Sequence, residues 1–269
     1  MSSYINMRVQ GASERPTIAA MLNKVPEVTL FFWVIKVLAT TVGETAADFL
    51  STTLHLGLTY TSLFMSAAFL VALGAQLRAK RYVPALYWTV VVLISVVGTL
   101  VSDNLTDNLG VTLETTTLIF GTALVVVFVL WWRSEKTLSV HSIVSTRREI
   151  FYWCAILFTF ALGTSAGDWL AESTGIGFGA SALCFAAMIG AVALARGAFK
   201  INGVLAFWLA YICTRPLGAS TGDLLSQARH DGGMGLGTTL TSVVFLSVIV
   251  ALVAYLTITK VDRIDYATD

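Results

Sequence analysis

Charged side chains are few in this chain. They make up 12% of its 269 residues, against 56% hydrophobic residues and a mean hydropathy of +0.78. Soluble domains carry about twice that share of charge, so a soluble globular class is excluded and a polytopic membrane protein is expected. Cysteine is equally sparse. Cys154, Cys184 and Cys213 all fall in apolar runs without metal-ligand spacing, which excludes a disulfide framework and a soft-metal site. None of them is one of the repeated residues of the motif described below, and of the three histidines only His55 and His230 are placed near its Asp end. The sequence has no Gly-x-Ser-x-Gly elbow, His-Glu-x-x-His helix or phosphate-cradling loop, so no hydrolase or nucleotide site of those kinds is expected. No covalent cofactor and no nucleic-acid partner are expected either.

What the chain does have is one pattern written four times: Trp, nine residues, Gly, four residues, Asp. The copies are Trp33–Gly43–Asp48, Trp88–Gly98–Asp103, Trp153–Gly163–Asp168 and Trp208–Gly218–Asp223. Their tryptophans are 55, 65 and 55 residues apart, the spacing of four two-helix units arranged as two similar halves. The expected fold is all-α: eight transmembrane helices from four parallel repeats, pseudo-symmetric about the membrane normal. The spans fall near 27–50, 58–77, 84–106, 113–132, 149–171, 178–196, 202–226 and 236–258. The corresponding divisions are an arm 1–24, repeats 25–82 and 83–132, a linker 133–148, repeats 149–200 and 201–258, and a tail 259–269. The arm lacks the apolar core and cleavage site of a signal peptide and is read as cytosolic, with an interfacial helix around 17–22. The linker, with Arg133, Lys136, Arg147 and Arg148, is the expected hinge between halves. Fourteen of the 17 Lys and Arg residues fall on the side of the arm, linker and tail. By the positive-inside rule both termini are cytoplasmic.

A carboxylate placed at one depth in four membrane helices is costly unless it is paired, hydrated or metal-bound. At 1.5 Å per residue, Gly43 stands about 15 Å and Asp48 about 22 Å above Trp33. The Trp positions suit interfacial anchors and the Gly positions close helix approach. Three repeats add a second carboxylate one turn away, Glu44 with Asp48, Asp103 with Asp107 and Asp168 with Glu172, while the fourth has Gln227 in that place. Such pairs repel unless a cation or proton lies between them. With hydroxyls such as Thr40, Thr41, Thr45, Thr99, Thr164, Ser165, Ser220 and Thr221, they are ligands for a hard cation, and Glu44, Asp48, Asp103, Asp168 and Asp223 are the expected metal set. Lys36 and Arg215 are the expected internal counter-charges. Lys36 is also close enough to the interface to snorkel, and Arg215 is matched to Asp223 or Glu44.

Around this motif, and most clearly at VPEVTLFFWVIKVLATTVGETAADFLS, the chain resembles an uncharacterised bacterial membrane-protein family of four tandem two-helix repeats with a shared Trp. The resemblance runs from Val25 to about Ile258 and implies a bacterial inner-membrane location, with no biochemical activity attached. The charges alone suggest a non-enzymatic transporter of a small cation, with a divalent ion (Mn²⁺, Mg²⁺, Zn²⁺ or Ca²⁺) as substrate and protons as counter-ion. The path would be Glu44, Asp48, Asp103, Asp107, Asp168, Glu172 and Asp223. The alternatives are a passive cation channel, an intramembrane hydrolase built on Gly167-Asp168 and Gly222-Asp223, and a structural or sensory membrane protein whose carboxylates cap helices. The topology is checked by labelling: a cysteine introduced at Ser139 is expected to react with an impermeant thiol reagent only from the cytoplasmic side.

Overall fold

The computed structural model describes residues 23–262. The expected helix at 17–22, Arg8, Arg15 and the tail from Arg263 lie outside them. Eight long helices follow one another: α1 Leu30–Asp48, α2 Gly57–Arg78, α3 Pro84–Asp103, α4 Leu113–Glu135, α5 Thr146–Asp168, α6 Phe178–Phe199, α7 Gly203–Ser226 and α8 Thr238–Thr259. Their starts are chemically marked. The side chains of Thr29, Thr112, Ser145 and Asn202 accept N-terminal N–H groups of α1, α4, α5 and α7, and Pro84 opens α3. Among the described residues seven helices are long and apolar enough to cross a membrane, which is compatible with a multi-pass membrane protein. The exception is α7, whose hydropathy is lowered by Arg215, Pro216 and its small polar residues; it nonetheless holds the same place in its repeat as α1, α3 and α5.

These four helices, the first of each repeat, close into a ring in the order α1, α3, α5, α7 and back to α1. The contact that sets the ring recurs at every seam. A Cβ built on Gly43 would fall 2.7 Å from Cβ of Ser95; on Gly98, 2.5 Å from Cβ of Phe160; on Gly163, 2.5 Å from Cβ of Arg215; and on Gly218, 2.5 Å from Cβ of Thr40. Each motif glycine is therefore the socket for the residue seven places after the Trp of the next repeat. The second helices form an outer layer, and each covers the inner helix of the following repeat: α2 on α3, α4 on α5, α6 on α7 and α8 on α1. The repeats are interlaced around the ring.

At the Asp end, α1, α3 and α5 widen into a π-helical turn directly after the motif aspartate, over Phe49–Thr53, Asn104–Asn108 and Trp169–Ser173. The i+5 bonds from Leu54 N–H to Phe49 O (2.9 Å) and from Leu109 N–H to Asn104 O (3.1 Å) define these turns. They change the register of two of the expected one-turn pairs, Asp103 with Asp107 and Asp168 with Glu172, and leave Glu44 and Asp48 together on α1. Asp103 and Asp168 end their α-helices half-buried, whereas Asp107 and Glu172 fall inside the wider turn and are exposed. In repeat 4, α7 runs on to Ser226 without such a turn.

The Trp end is tied across repeats. Lys24 Nζ donates to Glu149 Oε2 (2.7 Å) and to Leu77 O (3.0 Å), and Gln76 Nε2 donates to Glu149 Oε1 (3.1 Å). Tyr82 donates to Asp262 Oδ2 (2.5 Å); burial, followed by that bond to the carboxylate, pushes its phenol well above the usual range. The 133–148 linker is packed rather than hinge-like. Ile143 is fully buried, its carbonyl accepts from Lys24 N–H, and Leu138 O accepts from Trp208 Nε1 (2.9 Å). With four like seams in a closed ring, the molecule is not divided into two halves.

The seam geometry sets a stability test. Gly98→Ala forces Cβ into Phe160 and should lower stability by about 1–3 kcal/mol. Gly190→Ala, at a helical site with no atom within 4 Å, should be neutral or gain up to about 1 kcal/mol from helix propensity. Melting curves of the two variants in detergent compare them directly.

Candidate functional site on the bundle axis

Because the motif is repeated at constant spacing, equivalent residues stack in layers along the ring axis. The lowest layer is aromatic. The residue before each Trp is itself aromatic, giving Phe32–Trp33, Tyr87–Trp88, Tyr152–Trp153 and Phe207–Trp208. Each of these preceding rings meets the Trp of the next repeat: Phe32 with Trp88 (centroids 5.7 Å apart), Tyr87 with Trp153 (5.6 Å), Tyr152 with Trp208 (6.3 Å) and Phe207 with Trp33 (5.7 Å). The hydroxyls of Tyr87 and Tyr152 hydrogen-bond at 2.6 Å. This closed circle of eight rings corrects the reading of the Trp residues as interfacial anchors. Trp88, Trp153 and Trp208 are buried because the same face of each first helix that carries the motif turns into the ring.

One turn further along sits Lys36, completely buried. Its Nζ lies 4.1 Å from the ring centroid of Phe160 and 4.2 Å from that of Tyr211, and donates to Thr214 Oγ1 (3.3 Å). Lys36 does not snorkel, and it makes no ion pair among the described residues. Two π faces and one hydroxyl hold it, and no carboxylate pairs with it among the described residues.

The next layer contains the one ion pair on the axis among the described residues. Arg215 Nη2 donates to Glu44 Oε2 at 2.8 Å, to Thr164 Oγ1 at 2.7 Å and to Thr99 Oγ1, while Nη1 donates to Thr40 O at 3.4 Å. Of the two partners considered for Arg215, the structure selects Glu44 over Asp223. Arg215 is fully buried and Glu44 5% exposed, so the pair is desolvated. Glu44, Thr99 and Thr164 occupy the same motif position, directly after the glycine, in repeats 1, 2 and 3. One guanidinium from repeat 4 thus gathers the equivalent side chains of the other three repeats. Its aliphatic stem rests where a Gly163 side chain would stand, and Pro216, lacking an N–H, follows it.

Above the pair lie the motif aspartates. Asp48, Asp103 and Asp168 are half-buried and Asp223 is 6% exposed. Asp48 accepts from Gln227 Nε2 (3.4 Å), so the residue that replaces the second carboxylate in repeat 4 reaches repeat 1. Asp103, Asp168 and Asp223 make no hydrogen bond or ion pair through their carboxylates among the described residues. The acids still interact electrostatically: Asp223 lies in the field of Glu44, Asp168, Asp48 and Glu172, and Asp103 in that of Glu44, Asp48, Asp107 and Arg215.

The expected metal set is not assembled. Among the described residues no three His, Cys, Asp or Glu side chains converge on a common point. The aspartates stand on four separate helices around the axis, and Glu44 is already engaged by Arg215. The structure therefore brings Glu44, Arg215, Lys36 and the four motif aspartates onto one axis, with Asp107 and Glu172 exposed at its Asp end and within electrostatic reach of Asp48, Glu44 and Asp223. Sequence reading missed the cage of Phe160 and Tyr211 and the aromatic residue preceding each Trp. The latter signal was visible as Phe32, Tyr87, Tyr152 and Phe207.

Fold and site together define an all-helical protein built from four tandem copies of one two-helix repeat around a polar axis. The chain belongs to the family described as Repeat of Unknown Function (DUF347), which matches it four times, at residues 31–82, 86–137, 151–201 and 206–262. No curated protein and no solved structure matches the chain.

Removing one partner of a buried pair leaves an uncompensated charge at a cost of about 3–5 kcal/mol, whereas replacing both with apolar side chains costs far less. Glu44→Met and Arg215→Met should each lower the unfolding midpoint sharply, and the double variant should recover most of the loss. Additive losses in the double variant would show the pair to be uncoupled.

Proposed function

We propose that the protein is a membrane transporter that moves a small cation along the ring axis, with the Glu44–Arg215 pair as its gate. One observation carries the reading: the only ion pair on the axis among the described residues stands between a mouth of four aspartates and a floor of eight aromatic rings. In this reading the Asp end faces outward, the Trp end and both termini are cytoplasmic, α7 spans with the other seven helices, and the membrane is a bacterial inner membrane. The aspartates concentrate cations or protons at the mouth. Glu44 holds either Arg215 or an incoming cation. Occupation by the ion frees the guanidinium for the hydroxyls of Thr99 and Thr164, which already accept from it. Lys36, buried above the aromatic floor, repels any cation that passes the pair, so a cation crosses only when the inner helices rearrange. A hard divalent ion such as Mn²⁺, Mg²⁺, Zn²⁺ or Ca²⁺ exchanging with protons fits an all-oxygen path. Transport is favoured over hydrolysis because the carboxylate is repeated in four equivalent places, whereas a hydrolytic dyad needs two differentiated acids.

Flux in proteoliposomes tests this. The wild type is expected to take up Mn²⁺ with a counter-flow of protons reported by an entrapped pH dye. Glu44→Gln, Asp103→Asn and Asp168→Asn should each cut uptake at least tenfold, with the two Asp variants keeping their melting temperature. Mn²⁺ flux without a pH change would assign a passive channel instead. Undiminished flux in both Asp variants would overturn the path and leave the carboxylates as helix-end groups.

A further inference from the structure

The interlaced outer layer leaves lateral grooves, each between the outer helix of one repeat and the inner helix two repeats on. Three are well formed: α2 with α5, lined by residues such as Phe69 and Leu157; α8 with α3, lined by residues such as Val253 and Val92; and α4 with α7. The first two are lined by no charged residue. The third differs. Its volume is about 680 Å³, its walls include Gly121, Phe128 and Trp132 of α4 and Leu205, Trp208 and Ile212 of α7, and one end is closed by Lys136, Thr137 and Asn202.

We propose that the α4–α7 groove binds one anionic phospholipid of the leaflet at the Trp end, with an acyl chain against Phe128 and Trp208 and the phosphate on Lys136. Length is the first argument. From Gly121 to Lys136 the helix rises about 22 Å, enough for the hydrocarbon depth of one leaflet, about 15 Å, and a headgroup. Polarity is the second, because the groove is apolar except at the end where Trp132 and Lys136 form an aromatic-cationic pair, Nζ 5.1 Å from the ring centroid. Charge is the third. The neighbouring acid, Glu135, is engaged by Arg148 (2.7 Å) and Arg147 (3.7 Å), so the exposed Lys136 ammonium is left to an anionic partner. The occupant would touch the floor of the axis, since Trp208 lines the groove with one face and meets Tyr152 and Tyr211 within the bundle. The lipid would then brace the aromatic layer from the side.

The test uses the full chain in detergent, with dioleoyl phosphatidylglycerol and dioleoyl phosphatidylcholine as probes, and native mass spectrometry and melting temperature as readouts. The wild type is expected to bind a first phosphatidylglycerol at least tenfold more tightly than phosphatidylcholine, with a matching rise in melting temperature. Lys136 ends α4 at φ 55°, a left-handed conformation that Asn tolerates. Lys136→Asn should therefore remove the preference while the helix end is kept. Lys260→Asn is the matched control, at φ 58° on the end of α8 and outside this groove, and should leave the preference intact. Gly121→Leu should block the first binding event for both lipids; a Cβ there stands in ordinary van der Waals contact with Leu162, 3.8 Å away, and an unchanged melting temperature without added lipid checks that the fold accepts the longer side chain. Equal binding of the two lipids by the wild type overturns the proposal, as does a preference that survives Lys136→Asn or a lipid-free dimer sealed through this face. None of these readings depends on ion flux, so they stand or fall separately from the transport assignment.

Discussion

The backbone approach at four glycines governs everything inside the ring. At each seam the neighbouring helix sends one side-chain stem into the space where a Cβ would be, and the four stems belong to Ser95, Phe160, Arg215 and Thr40. That approach brings the inner helices close enough for side chains from different repeats to meet on the axis. The layers above and below each glycine then follow from helix geometry alone, because residues three or four apart lie on one face. An aromatic floor, a caged lysine, an ion pair and an aspartate mouth are successive turns of the same four helices.

The repeats differ most where they meet. Glu44 lies in repeat 1 and Arg215 in repeat 4, 171 residues apart in the chain, yet ring closure makes α1 and α7 direct neighbours. Two threonines add hydrogen bonds to the guanidinium from the other two repeats. A buried charge pair contributes little net stability on its own, yet removing one partner leaves the other charge buried and uncompensated. Lys36 has a different status, since it is held by ring faces and one hydroxyl and has no carboxylate to leave.

Much of this was legible in the chain. The four motif copies, the two-helix repeats, the acids at one depth and the paired candidates Glu44 and Arg215 all follow from spacing and hydropathy. Order around the ring was not, because periodicity says which face of a helix is polar and nothing about which helix stands beside it. The same gap explains the Trp residues. Their depth suits an interface, but only the closed ring shows that they point inward. The π turns after Asp48, Asp103 and Asp168 have no composition signal, and two of them carry the exposed Asp107 and Glu172. The linker looked like a hinge because it is polar, whereas Ile143 and Val140 anchor it and make the ring continuous.

The interlacing of the outer layer bears on how such a chain came to be. A two-helix unit whose second helix covers its neighbour has no completed core by itself, so an unfused ancestor would have existed as a tetramer with each subunit clasping the next. In such a tetramer any residue on the axis occurs four times: an arginine there would face three copies of itself, and a glutamate likewise. Joining the copies into one polypeptide lifts that constraint, and position-by-position divergence then allows one acid to meet one base at the centre of an otherwise repeated architecture.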